Sequence, residues 1–352
     1  MGWLHSLGLY TQTDPTGRLY PYSNQAADVS DLLLHTAARL HIDIQCGCTV
    51  TEIIPKKQGA LIKYSQAVGS EDEPPEEFLL RAGAVILAMG GFAAPKFGTD
   101  GSGLRFAARL GVPCAPAYPC LVPLKCRKEA VRGLSGVRVK GDVSLFCGAE
   151  CLRKESGEIQ FTDYGLSGIA VMQLSCRIGP GTKPEKLRIE LDLFPSLDTA
   201  ALTQLFADRM KSADTVHDIF LGLLNRKLAA PLLRAAGLPD AETPVERLPK
   251  NAAALLAEAA KHRSFDLLSP CGWDQAQTTG GGVLLSQLNA SSFEWKGAHG
   301  LYFVGEMADA AGDCGGYNLY WAFASGLAAG RHAAQSSTAR PGASPKRKKE
   351  KH

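Results

Sequence analysis

The sequence predicts an α/β protein whose parallel sheet is interrupted by a β-rich section and a helical section. Three observations carry this. Two apolar runs, AVILAM at 84–89 and LYFV at 301–304, each end directly in glycine. A run apolar on both faces suits a parallel strand covered on both sides. Between these runs, residues 137–145 and 187–193 place apolar residues at alternate positions, and 198–262 are Ala/Leu-rich at helical spacing. The reading is one discontinuous α/β domain, 1–118 with 272–335, carrying a β-barrel-like insertion at 119–197 and 264–271. A helical subdomain at 198–263 and a tail at 336–352 complete the chain.

Element by element, residues 25–40 set Val29, Leu32, Leu33, Ala37 and Leu40 on one helical face. Ile42-Asp43-Ile44 then reads as a strand. Residues 49–54 and 60–65 alternate around a turn at 55–59, and 78–80 resume the β pattern after the acidic loop 71–77. The apolar strand 84–89 leads through Gly90-Gly91 and the loop GTDGSG into a helix at 104–110, closed by Gly111. Val137, Val139, Val143 and Leu145 alternate, as do Leu187, Ile189, Leu191 and Leu193. Leu202, Leu205, Phe206 and Met210, then Ile219, Leu223 and Leu224, recur at helical spacing. The glycine-rich TTGGGV at 278–283 precedes the last strand and a closing helix.

The formal charge of the chain is +3, but residues 340–352 hold six Lys or Arg against one Glu, so the rest sums to −2. A nearly neutral body gives no electrostatic reason to expect nucleic-acid binding. The basic, polar tail reads as disordered. No run of 18 apolar residues occurs and the start lacks the pattern of a secretion signal, so a cytoplasmic protein off the membrane is expected. Ten cysteines without a CxxC, at spacings unlike a disulfide framework, read as reduced thiols, and no metal site is expected.

The chemistry sits at the strand ends. In an open parallel sheet, ligands bind beyond the carboxyl ends of the strands, where glycine lets backbone approach closely. Gly90 and Gly91 end one strand, and Gly305 and Glu306 end the other. A carboxylate in that place can accept hydrogen bonds from ribose or ribityl hydroxyls. GDCGGYNLYWAFASG at 312–326 then opens a helix at Gly315, Gly316, Tyr317 and Asn318. Free N–H groups and the positive dipole end there stabilise negative charge, such as that of a reduced flavin. A glycine turn for close helix–sheet packing is the competing reading.

The segments at 17–29, 86–103, 119–124, 157–175, 272–283 and 300–330 together resemble the BaiN-like NAD(P)/FAD-dependent oxidoreductases, which include aminoacetone-oxidase-like flavoproteins. The resemblance covers almost the whole chain, and GLYFVGEMADAAGDCGGYNLYWAFASGLAAG is its most specific stretch. It implies a discontinuous Rossmann-like FAD-binding domain with an inserted β-barrel and a helical subdomain. It implies FAD as cofactor, NADH or NADPH as donor and a small-molecule substrate. Gly315, Gly316, Tyr317 and Asn318 would orient the isoalloxazine. Gly305 and Glu306 would hold the ribityl and pyrophosphate side, with Gly90 and Gly91 near the adenosine half. Arg18, Tyr164 and Ser167 are substrate-side candidates. Arg18 reads equally as an anion anchor or a surface loop residue, and Tyr164 and Tyr22 as proton donors or packing aromatics. Cys314 reads as a thiol beside the flavin or as a small buried residue.

The sequence departs from the family at its start, where members carry a strand, a G-x-G-x-x-G turn and a helix that grip the pyrophosphate. No such motif occurs near Met1, and the first βαβ unit is expected to be absent. GTDGSG reads as a loop before the helix that follows it. The alternative function is therefore a non-catalytic remnant, or a partial chain that does not bind FAD on its own. No residue pattern marks a catalytic group.

Overall fold

The computed structural model describes residues 2–15, 17–67 and 74–338. The basic end at 340–352 lies outside the described residues, as does part of the acidic loop, 71–73. The chain opens with helix α1 (Gly2–Ser6), an antiparallel pair β1 (Thr11–Thr13) and β2 (Leu19–Pro21), and helix α2 (Ala27–Arg39). The strand expected at 42–44 does not form. Ile42 and Ile44 are 56% and 55% exposed, and no described segment pairs with them. An extended segment becomes a strand only when a neighbour takes its N–H and C=O groups.

Strands β3 (Cys48–Pro55), β4 (Ala60–Gln66) and β5 (Glu76–Ala82) form an antiparallel sheet. The turn between the first two needs Gly59, which has φ +67°; a Cβ there would meet Ala82 O at 2.0 Å. Strand β6 (Val85–Leu87) follows, then helix α3 (Ser102–Arg109). The loop between them has left-handed glycines at Gly98 and Gly101, so GTDG introduces α3, which starts two residues earlier than its sequence suggests, at Ser102.

The middle of the chain contributes β7 (Cys114–Cys120), β8 (Leu124–Cys126), α4 (Lys128–Val131), β9 (Arg138–Cys147), β10 (Glu150–Phe161), β11 (Gly165–Ser167) and α5 (Ile169–Ser175). After these come β12 (Leu187–Asp192), α6 (Thr199–Met210), α7 (Ala229–Ala235), α8 (Ala252–Lys261) and β13 (Arg263–Pro270). Strands β10, β11, β8, β13, β12 and β9 close, in that order, into a barrel. The alternation in the sequence explains it: Leu187, Ile189 and Leu191 all turn inward on β12. The helices seal this barrel rather than standing apart. Leu145, Ile159, Phe265, Phe206 and Leu256 belong to one continuous apolar cluster.

The chain returns with β14 (Thr278–Val283), antiparallel to β7, and β15 (Leu301–Phe303), parallel to β6. Helix α9 (Tyr317–Thr338) closes the described chain. Leu87, Leu104, Phe106, Val283, Phe303 and Met307 form the second core. The parallel pair is covered less fully than its apolar sequence predicts. Leu87 is 2% exposed, but Ile86 is 38% and Met89 37% exposed. On the other face, α9 packs over Tyr302, whose hydroxyl meets His332 Nδ1 at 2.9 Å, and leaves the partnered Ile86 open. Near the other end of α9, the Trp3 ring of α1 lies 6.3 Å from Phe323.

Candidate active site

The strand ends meet at Thr279. Its hydroxyl accepts hydrogen bonds from Phe92 N (2.9 Å) and Ala93 N (3.2 Å), and its own N–H donates to Glu306 Oε1 (2.9 Å). Gly91 must be glycine here, because a Cβ would fall 2.2 Å from Thr279 Oγ1 and 2.8 Å from Glu306 Oε1. Thr99 donates its hydroxyl proton to the Gly91 carbonyl, beside the left-handed Gly90. Burial pushes the Glu306 carboxyl above the ordinary range, and its hydrogen bonds from Thr279 pull the other way. Gly90, Gly91 and Glu306 are thus brought together, with one carboxylate oxygen engaged by the protein's own backbone. Sequence reading missed Thr279; the clue was its place in the buried TTGGGV strand, directly before three glycines.

Gly305 sits where β15 turns toward α9. Its φ of +61° favours glycine, its N–H donates to Ser325 Oγ (2.9 Å), and its carbonyl accepts from Trp321 Nε1 (2.9 Å). Both partners belong to α9, so the strand end and the helix are locked together.

The loop before α9 has a different character. Asn318 accepts from Gly312 N (2.8 Å) and donates to Gly312 O (3.0 Å), so its side chain closes the loop on itself. Gly315 and Gly316 have φ of +134° and +92°, and Tyr320 N makes an early helical bond to Gly316 O (2.9 Å). A Cβ on Gly315 would lie 3.6 Å from Arg18 Nε and 3.5 Å from the Tyr317 ring. A Cβ on Gly316 would meet nothing within 4 Å. Arg18 and the exposed Tyr317 thus lie beside Gly315 at the N-terminus of a 22-residue helix, and Gly316 is uncovered. The first-turn N–H groups of a helix lack intrahelical partners, and with a guanidinium beside them they favour an electron-rich or anionic group.

Two further contacts tie this loop to its surroundings, one of them leading into the barrel wall. Cys314 Sγ lies 3.5 Å from Gln277 Oε1. Asp313 accepts from Arg153 of β10 at 2.8 Å, and Arg153 also pairs with Glu155 at 2.6 Å. Gln173 of α5 donates to Glu155 at 2.7 Å. The barrel wall and the glycine loop are so joined through one largely buried guanidinium, which nothing in the sequence marked.

Tyr164 lies elsewhere. Its hydroxyl donates to Gln275 Oε1 (3.0 Å), and its ring packs in a small cluster with Ala93 and Trp273. Trp273 in turn stands 5.2 Å from the Phe92 ring. Tyr164 thus belongs with the Gly90–Gly91 side, whereas Ser167 sits on β11 opposite Gln160. Tyr22 is 71% exposed. Among the described residues no cluster of three or more His, Cys, Asp or Glu could hold a metal ion, and no helix is long and apolar enough to cross a membrane.

Comparison with known proteins identifies the family. The family described as HI0933-like protein Rossmann domain matches residues 1–332. A 3-dehydro-bile acid delta(4,6)-reductase from Clostridium scindens is 33% identical over 333 residues, covering 94% of this chain and 78% of the relative. Ribosomal RNA dihydrouridine synthases are more distant. That of Haemophilus influenzae is 28% identical over 246 residues, covering 69% of this chain and 58% of its own. That of Escherichia coli is 28% identical over 250 residues, covering 69% and 59%. The chain thus spans less than two thirds of either synthase. By the match along nearly its whole length and by the reductase relative, the chain belongs to the HI0933-like Rossmann family of flavoprotein oxidoreductases.

Proposed function

We propose that this chain is the body of an FAD-dependent oxidoreductase that takes electrons from NADH or NADPH and reduces a carbon–carbon double bond conjugated to a carbonyl in a small molecule. The observation that carries the reading is the open space faced by Gly316 at the head of α9, flanked by Arg18 and Tyr317. The bond type follows from the relatives, whose names describe a reductase of an unsaturated dehydro-bile acid and a maker of dihydrouridine. FAD, when bound, supplies the hydride chemistry. The residues present supply the rest. Gly315 and Gly316 keep side chains out of the ring's place. The α9 N-terminus and Arg18 stabilise negative charge on the edge they face. Asn318 acts through the loop, by holding Gly312. Gly305 and Glu306 set the sheet end against which a ribityl chain would lie, and Gly90 and Gly91 the adenosine side. Ser167, on β11, is the substrate-side candidate, and Tyr164, which packs beside the Gly90–Gly91 turn, would act from that side.

The test is a titration of the purified full chain with FAD, followed by quenching of flavin fluorescence, then NADPH or NADH oxidation with a panel of small conjugated ketones. The expected result is weak, reversible quenching with ketone-stimulated turnover that requires added FAD. No G-x-G-x-x-G turn, the motif that grips a pyrophosphate, occurs in these 352 residues, so the quenching expected of them is weak. Stimulation by ribosomal RNA and by none of the ketones would overturn the substrate class. A second reading, a partial chain that holds no FAD on its own, is favoured by the half-open parallel pair with Ile86 and Met89 exposed. Absence of quenching at millimolar FAD would select it.

A further inference from the structure

Two thiols outside the glycine loop sit on neighbouring segments. Cys120 ends β7, pairs with Thr278 and is 0% exposed. Cys176 caps the C-terminus of α5 and is half-buried. The segments run side by side: Val122 N donates to Ser175 Oγ (3.1 Å), and Tyr118 Oη donates to the Cys176 carbonyl (3.3 Å). Each thiol is near enough to shift the ionisation of the other. Space for them comes from Gly280, where a Cβ would lie 2.7 Å from Cys120 Sγ and 2.4 Å from the Tyr118 ring.

We propose that Cys120 and Cys176 are a reversible dithiol–disulfide pair, a modification site that staples β7 to α5 when the protein meets hydrogen peroxide. The roles of the two sulfurs follow from their surroundings. The neighbouring Cys120 thiol lowers the Cys176 pKa, against burial, and Leu121 N–H and the Arg153 guanidinium add to the effect. The same neighbour and burial together raise Cys120. Cys176 is thus the more readily ionised of the two, which makes its sulfur the attacking group. The Cys176 thiolate attacks one oxygen of the peroxide, the O–O bond breaks, and the departing hydroxide takes a proton to leave as water. Cys176 is then a sulfenic acid. The Cys120 sulfur attacks it, forming the S–S bond, and the sulfenic hydroxyl leaves with the Cys120 proton as a second water. Sulfur loses two electrons in total and peroxide gains them. A dithiol reductant reverses the step by exchange. Cys314, close enough to Cys176 to feel its charge, is the competing partner. The proposal does not depend on FAD.

The experiment treats the purified full chain with a small excess of hydrogen peroxide, caps free thiols with iodoacetamide, digests without reductant and maps peptides by mass spectrometry. The expected product joins the peptides of Cys120 and Cys176, two hydrogens lighter than their sum, and dithiothreitol dissolves it. In Cys120→Ser the same treatment should leave a dimedone-reactive sulfenic acid at Cys176. A cross-link between Cys176 and Cys314 in the unsubstituted protein would overturn the pairing. Full capping of both Cys120 and Cys176, with oxidation confined to the exposed Cys46 and Cys151, would overturn the site.

Discussion

Thr279→Val is the most informative single change. Thr279 is 1% exposed, so on apolar grounds alone valine should be tolerated or stabilising. The structure argues the reverse. The Thr279 hydroxyl is the acceptor for two backbone donors, Phe92 N and Ala93 N, which hold the turn after β6 against β14. Removing an acceptor from a buried donor costs about 1–3 kcal/mol each, and these half-buried donors belong at the lower end, so the pair comes to about 2 kcal/mol. Thr279→Ser keeps the hydroxyl and loses one methyl, about 1 kcal/mol. The order of stability is therefore wild type, then serine, then valine. With an unfolding entropy of about 2 cal/mol/K per residue, 2 kcal/mol lowers the melting temperature of a chain this long by roughly 3 °C.

A local assay separates this from general damage. Hydrogen–deuterium exchange of a peptide containing Phe92 and Ala93 should show about fivefold faster exchange per amide in Thr279→Val, and little change in Thr279→Ser. The barrel, with its own core, should exchange as before. Valine at least as stable as wild type, with unchanged exchange at these amides, would refute the assignment of Thr279 as the junction.

Glu306→Gln tests the same junction through pH. Burial raises the folded carboxyl pKa, so above the ordinary value the native state holds a proton that the unfolded chain has released, and wild-type stability falls as pH rises through that window. Glutamine keeps an acceptor for Thr279 N and cannot titrate, so its advantage should grow from pH 4.5 upward and then level; parallel denaturation curves would contradict this. Gly316→Val should abolish FAD quenching, because it fills the open space and forces a β-branched residue to φ +92°, a strain of about 1–2 kcal/mol. Asn318→Ala should quench nearly as well as wild type but release the 312–316 loop to proteolysis, since both of its amide atoms serve Gly312. Tyr164→Phe and Ser167→Ala should change turnover of a ketone substrate more than FAD content; equal loss of both would remove them from the substrate side.

The elements were legible wherever one face of a segment is buried against its own neighbours. Leu187, Ile189 and Leu191 show strict alternation because all three point into the barrel. Residues 42–44 misled because Ile42 and Ile44 carry the apolar pattern of a strand without a partner strand to accept their hydrogen bonds. AVILAM misled on one face for a related reason: Tyr302 is buried with Ala329 and Ala333 of α9, whereas its partner Ile86 stays 38% exposed. The site was legible in its glycines and illegible in its polar links. Arg153 and Asp313 are 160 positions apart, as are few pairs that periodicity or spacing could join. Thr279 and Phe92 are separated by 187. Such contacts depend on which strands become neighbours, and no local pattern encodes that.

This difference decides which parts of GDCGGYNLYWAFASG are free to meet a ligand. Asn318 is occupied by Gly312, Trp321 and Ser325 by Gly305, and Asp313 by Arg153. Each of these polar side chains, read from sequence alone, could pass for a cofactor contact. In the fold each holds the stretch in place. What is left uncovered is Gly316, at the start of α9, with the Arg18 side chain arriving beside Gly315 from a distant loop. Backbone donors cannot be deleted by changing a side chain to alanine, only blocked by adding one. Substitutions that remove atoms should therefore loosen the loop, whereas those that add atoms at Gly315 or Gly316 should close the site. An alanine scan of 312–326 that abolished FAD quenching at Asn318, while Gly316→Val retained it, would invert the assignment and make the side chains the cradle and the glycines mere packing.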